Sequence, residues 1–327
     1  MDEALAAHAR AQSLAPEDAL AYWNESLCRL TMGDYARGWA LYEWRWKWPA
    51  FPSPALPFDV PLWLGREDLA GKAILLHAEQ GLGDTLQFAR YAKLAAARGA
   101  TVYLLAQRLL LPLLEGLPGA ARVFGAGAPM PRIDFHAPLL SVPHLLRYET
   151  IPASVPYLFA EPGLVTRWNQ RLPPGRRIGI SWQGNPAYAM DYLRSVPVGQ
   201  FADLIDGIDA HFVILQRGEI PQVIREAGGI DLGADVDRDH AFVDTAAIVA
   251  NLDLVITSDT AMAHLAGALG APTWTLLSSS PDWRWGLGRS DCAWYPTMRL
   301  IRQTVPNDWG GVVTQARAAL AGHSALS

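Results

Sequence analysis

From Gly71 onward, short apolar runs alternate with helical stretches, and the alternation occurs twice. Residues 73–78 (AILLHA) form a continuous apolar run, as in a strand buried on both faces of a helix-covered parallel sheet. A Gly-rich turn and a helix over 85–98 follow, then strands at 101–106, 122–124 and 134–137 and a helix over 109–115. A proline-rich passage at 151–162 and a helix around 165–171 precede the restart. Strands are then expected at 178–182, 211–216, 230–232, 254–257, 273–277 and 299–302, with helices at 198–206, 221–227, 244–251, 261–269 and 309–321. Two such runs imply an α/β chain of two Rossmann-like parallel-sheet domains facing across a cleft, with a hinge near 150–176. Ligands of these sheets bind at the carboxyl ends of strands, so site candidates are sought there.

The segment before Gly71 reads differently. Helices are expected over 2–14, from Asp18 to about 32, and over 35–48, with Pro16, Gly33 and Pro49 as stops and Asp18 and Asp34 as caps. Helix, Gly-Asp-Tyr turn, helix and proline make up the unit of a tetratricopeptide repeat, matched by Asn24, Leu27, Gly33, Tyr35, Ala40, Tyr42 and Pro49. An ordinary helical hairpin is the alternative. One and a half repeats make no free-standing solenoid. Either the chain is part of a longer repeat protein, or these helices dock on the next domain. Five of the 13 tryptophans lie between Trp39 and Trp63, and Pro49, Pro52, Pro54, Pro57 and Pro61 lie among them. Aromatics of that size are expected to be buried, so 50–70 reads as a strap seating the helices on the body.

Composition narrows the function. A net charge of −5 argues against phosphate-driven nucleic-acid binding. Cys28 and Cys292 build no disulfide framework, and no metal-ligand spacing occurs among the histidines. No apolar run approaches a membrane span, and the Met-Asp-Glu start lacks signal-peptide character. A soluble cytoplasmic protein is expected.

Four segments at strand ends carry chemistry. In His77-Ala-Glu-Gln-Gly81-Leu-Gly83-Asp84 the two glycines allow a tight turn and close ligand approach. The third glycine of the dinucleotide fingerprint is absent, and Asp84 would repel a pyrophosphate. Asp84 is therefore an N-cap or a general base facing a hydroxyl. Ser181-Trp-Gln183-Gly-Asn185 leaves the first strand of the second half, and Arg194 follows as a bidentate phosphate clamp or a surface arginine. Thr257-Ser258-Asp259-Thr260-Ala-Met-Ala-His264 opens a helix whose N–H groups, with the Ser258 and Thr260 hydroxyls, suit an anion. Ala261, Ala263 and Ala266 would let the ligand approach. Alternatively Asp259 is only the cap and His264 a core residue. Trp283-Arg284-Trp285 is either a cation–π stack or part of the ligand cleft.

The segments HAEQGLGDTLQFARY (77–91), GISWQGNP (179–186), Arg194-Ser195, VITSDTAMAHLAGALGAP (255–272) and PDWRWGLGRSDCAWYPTMRLIRQ (281–303) together resemble a known group. It is the bacterial proteins that join tetratricopeptide repeats to a glycosyltransferase domain related to the lipopolysaccharide heptosyltransferases. The resemblance implies a GT-B architecture. It divides the chain into repeat-like helices 1–49, the strap 50–70, an acceptor domain 71–162, a nucleotide-sugar domain 163–305 and a crossing helix 306–327. Asp84 would take the place of the general base. Arg194 would replace a lysine that contacts the donor phosphates, and Asp259, Thr260 and His264 would hold the diphosphate and sugar. Gly81, Gly83, Gln183, Asn185, Gln216 and Ser258 complete the expected binding set, with Glu219 as a ribose-binding acid. The repeat region is lacking in heptosyltransferases and is reminiscent of protein O-GlcNAc transferases, which leaves the donor sugar open.

The implied reaction is inverting, metal-independent transfer from a nucleotide diphosphate sugar to a hydroxyl, with no other cofactor. The acceptor would be a protein or glycan, and the helices would offer a surface to a protein partner or a second copy of the chain. The rival readings are a non-catalytic repeat scaffold with a degenerate nucleotide-binding domain, and a GT-B-like nucleotide-sugar epimerase.

Overall fold

Each run of alternation builds its own sheet. The computed structural model describes residues 1–323. The chain divides into a first unit, Met1–Pro152 with Asp282–Gly288, and a second unit, Ala153–Pro281 with the chain from Arg289. The division falls at Pro152, inside the hinge expected near 150–176 and before the domain boundary expected at 162, and a short piece of the second half belongs to the first unit.

The first unit holds a four-stranded parallel sheet of β1 (Ala73–His77), β2 (Thr101–Leu105), β3 (Ala120–Phe124) and β4 (Phe135–Pro138), in the order β3-β2-β1-β4. Its helices are α1 (Asp2–Leu14), α2 (Ala19–Met32), α3 (Tyr35–Tyr42), α4 (Leu82–Phe88), α5 (Tyr91–Ala96), α6 (Leu111–Leu114) and α7 (Val142–Leu145). The expected helix over 85–98 is broken in two. At the break Arg90 turns its Nε to the Gln87 carbonyl at 3.0 Å and an Nη to Pro152 O at 2.9 Å, so its side chain takes a carbonyl of the helix ladder.

The N-terminal helices are capped as expected. The Asp18 carboxylate accepts from Leu20 N–H, Gly33 ends α2 at φ 81°, and Asp34 caps α3. A Cβ on Gly38 would lie 2.7 Å from Leu30, so glycine sets the close approach of α2 and α3. The expected helix over 35–48 tightens into a 3-10 turn at Glu43–Lys47. That turn sends Arg45 inward, where its guanidinium is fully buried.

The strap is fixed to the sheet. Trp63 N–H donates to His136 O at 2.8 Å and His136 N–H to Pro61 O at 3.2 Å, continuing the ladder beyond β4. Trp39 is buried edge-on against Phe88 and Trp283 at 5.9 and 5.4 Å. The burial expected of these aromatics is therefore present within this unit. Helix α1 buries no residue.

The second unit has a six-stranded parallel sheet in the order β10-β9-β8-β5-β6-β7. Its strands are β5 (Arg177–Ser181), β6 (His211–Ile214), β7 (Gly229–Ile230), β8 (Leu254–Ser258), β9 (Thr273–Leu277) and β10 (Met298–Arg302). Around it lie α8 (Pro162–Arg171), α9 (Val198–Ile205), α10 (Gln222–Glu226), α11 (Val243–Val249), α12 (Ala261–Ala268) and α13 (Trp309–His323). Every residue of β8 and β9 is buried, the hydroxyl residues Thr257, Ser258, Thr273 and Thr275 included. Helix α13 contributes Trp309, Val312, Ala316 and Leu320, which join Phe201 and Leu204 in the core of the second unit. The final four residues of the expected 306–327 segment lie outside the described residues. Among the described residues no helix is long and apolar enough to cross a membrane.

Candidate active site

In the first unit the β1–α4 turn is built differently from the expected two-glycine turn. The left-handed residue is Gln80 (φ 60°), while Gly81 is extended (φ −85°) and Gly83 lies inside α4. A non-glycine residue holds this conformation because both its ends are tied. Gln80 N–H donates to Ser53 Oγ at 2.9 Å and its amide Nε2 to Tyr42 Oη at 3.1 Å. Strap and helical hairpin thus shape the turn.

Asp84 stands at the third position of α4 and reaches back to accept the Gly81 N–H at 2.8 Å. It is half-buried, and its other oxygen is ion-paired with Arg284. Burial pushes the Asp84 carboxyl above the ordinary aspartate value, and Arg284 pulls against that rise. The group is thus both a partial cap and a carboxylate held beside a cation. Two buried groups behind it went unread in the sequence. Glu79 accepts two hydrogen bonds from Arg45 and one, at 3.1 Å, from Leu140 N–H. His77 meets His136 at 3.3 Å, and burial holds His77 neutral.

In the second unit Gln216 lies beyond β6, which ends at Ile214, two residues short of the expected strand end. Its Oε1 gathers the Ser181 hydroxyl and the N–H groups of Trp182 and Gln183 at 3.0–3.2 Å. Gln216 therefore shapes the loop leaving β5. Gln183 is exposed, and the Asn185 side chain closes a turn by accepting Ala187 N–H at 3.0 Å. Arg194 gives its Nε to the buried carboxylate of Asp191 at 2.9 Å and lies over Tyr188. Its two Nη groups make no hydrogen bond to the described residues. A Cβ on Gly184 would strike Asp191 and Arg194 at 2.1 and 2.6 Å, so glycine there makes room for the pair. Glu219 is exposed in the loop after β6.

At the β8–α12 turn Thr260 is the helix cap, accepting Met262 N–H at 3.3 Å. Asp259, the residue expected as the cap, is instead buried beside it, and its charge acts on Arg302. Ser258 Oγ is buried with no hydrogen-bond partner among the described residues. His264 is buried with Nδ1 3.0 Å from Tyr295 Oη, a partner no local motif announces. The small residues of α12 serve packing more than ligand approach. Ala263 and Ala266 are fully buried, and a Cβ on Gly267 would stand 2.4 Å from the Tyr295 ring. Among the described residues no group of three His, Cys, Asp or Glu side chains is placed to hold a metal ion.

Residues 241–306, from the loop before α11 to just past β10, match glycosyltransferase family 9 (heptosyltransferase). Protein FlbA of Caulobacter vibrioides is 29% identical over 343 residues, covering 94% of this chain and 56% of that protein. The chain thus spans little more than half the length of that relative. E. coli ADP-heptose lps heptosyltransferase II has a TM-score of 0.54 at 14% identity, covering 77% of this chain and 99% of its own. A glycosyl transferase family 9 protein from Veillonella parvula DSM 2008 scores 0.57 at 10% identity, covering 79% and 99%. The dodecameric, iron-containing glycosyltransferase TibC from enterotoxigenic E. coli H10407 scores 0.53 at 13% identity, covering 80% of this chain and 78% of its own. TibC also has a solved complex with ADP-D-beta-D-heptose. These likenesses fix the α/β fold with parallel sheets as that of the GT-B heptosyltransferase structures. The family match over residues 241–306 supports glycosyltransferase activity.

Proposed function

We propose that the protein transfers a sugar from a nucleotide diphosphate sugar to a hydroxyl acceptor, with inversion and without a metal ion. The observation that carries this reading is the β8–α12 turn inside the family 9 match. There a capped helix start follows the buried Ser258 hydroxyl, which has no hydrogen-bond partner among the described residues. Such a turn offers fixed dipoles to an anion. Arg194, anchored through Nε and with neither Nη group hydrogen-bonded among the described residues, suits a donor phosphate.

Asp84 takes the acceptor proton. The acceptor oxygen bonds to the anomeric carbon from the face opposite the nucleotide. The bond to the diphosphate breaks with its electron pair on the leaving group. Arg194, Thr260, His264 and the α12 start stabilise that charge. Fixed donors aimed at a developing charge lower the barrier because they need no reorganisation as the bond breaks.

The helical hairpin is read as a tetratricopeptide-like surface for a protein partner or acceptor. The Gly33–Asp34 turn, the close Gly38–Leu30 contact and the unburied α1 support this.

The deciding experiment gives ADP-heptose and other nucleotide diphosphate sugars to the wild type and to Asp84→Asn, with EDTA or Mg²⁺ present. Donor binding by both proteins in EDTA, with turnover lost in the variant, is expected. Binding without turnover in either would favour the scaffold reading, and conversion of the donor with no acceptor would favour an epimerase.

A further inference from the structure

We propose that Arg284 is the positioning residue for Asp84, delivered to the first unit by the segment Asp282–Gly288 from the far half of the sequence. The inference rests on the reading of Asp84 as the base and deepens it. Asp84 and Arg284 are 200 positions apart in the chain, yet both belong to the first unit.

The guanidinium is nearly buried, and all three of its nitrogens are engaged. Nε donates to Gln87 Oε1 at 2.6 Å, one turn along α4 from Asp84. Nη1 donates to Asp282 Oδ1 at 2.9 Å, and Nη2 donates to Asp84 Oδ1. The Asp282 carboxylate also accepts the Arg284 backbone N–H at 3.0 Å, which fixes the turn presenting the side chain. The guanidinium lies 4.4 Å from the Trp283 ring centroid, and Trp283 meets Trp39 and Tyr42 edge-on. A planar fork held at every nitrogen fixes the direction of its partner as well as its charge. With Gly81 N–H on Oδ2 and Arg284 on Oδ1, rotation of the Asp84 carboxylate is stopped from both sides.

The charges around Asp84 define what Arg284 does. Asp282 is a like charge on the same guanidinium, Tyr42 packs beside it, and the Arg45–Glu79 pair lies behind Tyr42. Without Arg284 the two aspartates would face one another uncompensated. Burial and Asp282 lift the Asp84 carboxyl, and Arg284 opposes them. A base must be ionised before it can accept a proton, so Arg284 keeps Asp84 in the working form and correctly turned.

The test uses the full chain with ¹³C-carboxyl-labelled aspartate, the Asp84 signal being identified by its absence in Asp84→Asn. Arg284→Gln is expected to raise the Asp84 titration midpoint by about one pH unit or more, the effect of losing an opposite charge at this range. Asp282→Asn is expected to lower it. Arg284→Lys, which keeps the charge and loses the fork, should hold the midpoint near wild type while reducing turnover. It also serves if Arg284→Gln does not fold. An unchanged midpoint in Arg284→Gln, or full turnover in Arg284→Lys, overturns the proposal. A shifted midpoint together with undiminished turnover in Asp84→Asn would remove Asp84 from catalysis and leave the positioning contact standing.

Discussion

Arg45 and Glu79 form a buried bidentate ion pair, Nε to Oε2 at 2.9 Å and Nη2 to Oε1 at 2.8 Å. It ties the 3-10 turn below the helical hairpin to the loop leaving β1. Glu43 accepts from Arg45 at 2.8 Å, and Arg45 and Glu43 both bond the Ser141 hydroxyl, which closes the network. The hairpin is thereby coupled to the strand that leads to Asp84.

Glu79→Ala removes the bidentate partner and should destabilise the chain by about 3–5 kcal/mol, because Arg45 keeps its charge in a dry site with the part-exposed Glu43 left as its ionic partner. The double variant Arg45→Met/Glu79→Leu should recover most of that loss. Urea denaturation of the two variants checks the sign, and equal losses would show that the pair contributes no charge-specific coupling.

Donor binding should depend on the second unit. Arg194→Ala and His264→Ala are each expected to weaken nucleoside diphosphate binding by about 1.5–3 kcal/mol, the range for a hydrogen bond to a charged group. Tyr295→Phe should weaken it less, since it removes the group bonded to His264 Nδ1 and leaves the imidazole in place. Calorimetry in EDTA supplies the numbers. Wild-type affinity in both alanine variants would move the phosphates elsewhere.

His77 sets part of the acid limb of stability. Burial, with His136 and Arg45 nearby, pushes its imidazolium down to about 3 from an ordinary 6.5. Below pH 6.5 the unfolded chain binds a proton that the folded chain refuses. The stabilisation is therefore complete above 6.5 and is lost as pH falls toward 3. Each such proton contributes a slope of about 1.4 kcal/mol per pH unit. His77→Phe should flatten the stability profile by one proton over that window, as read from denaturation midpoints at several pH values. An unchanged slope would show that His77 titrates normally.

What was legible in the sequence was what repeats locally. A continuous apolar run marked β1, whose residues are nearly all buried, and Gly33 and Asp34 marked a helix end and start through their own backbone chemistry. Contacts between distant residues carried no such signal. Asp84 with Arg284, Arg45 with Glu79 and His264 with Tyr295 lie 200, 34 and 31 positions apart, and neither period nor spacing joins them. Gln80 shows the same limit. A left-handed turn residue was expected to be glycine, and tertiary bonds from Ser53 and Tyr42 hold a glutamine there instead.

The strap gives the last test. Trp63 is buried, donates its indole N–H to Glu67 O at 3.0 Å and its backbone N–H to His136 O at 2.8 Å. Phe58 lies against His77 and His136 at 5.3 and 4.7 Å, and Phe51 packs on Trp46 and Trp23 at 5.3 and 5.8 Å. A loose tether would hold none of these contacts, so the wild-type chain should resist protease within 49–62 despite its lack of regular structure. Trp63→Ala leaves a large cavity and should cost about 3–5 kcal/mol. Local opening should then expose 49–62 to rapid cleavage and free the β1–α4 turn from Ser53. Trp63→Phe keeps a ring in the site and loses the Glu67 bond, so its effect should be smaller in both assays. Equal cleavage of wild type and Trp63→Ala, mapped by mass spectrometry, would show that the strap is not held by this tryptophan.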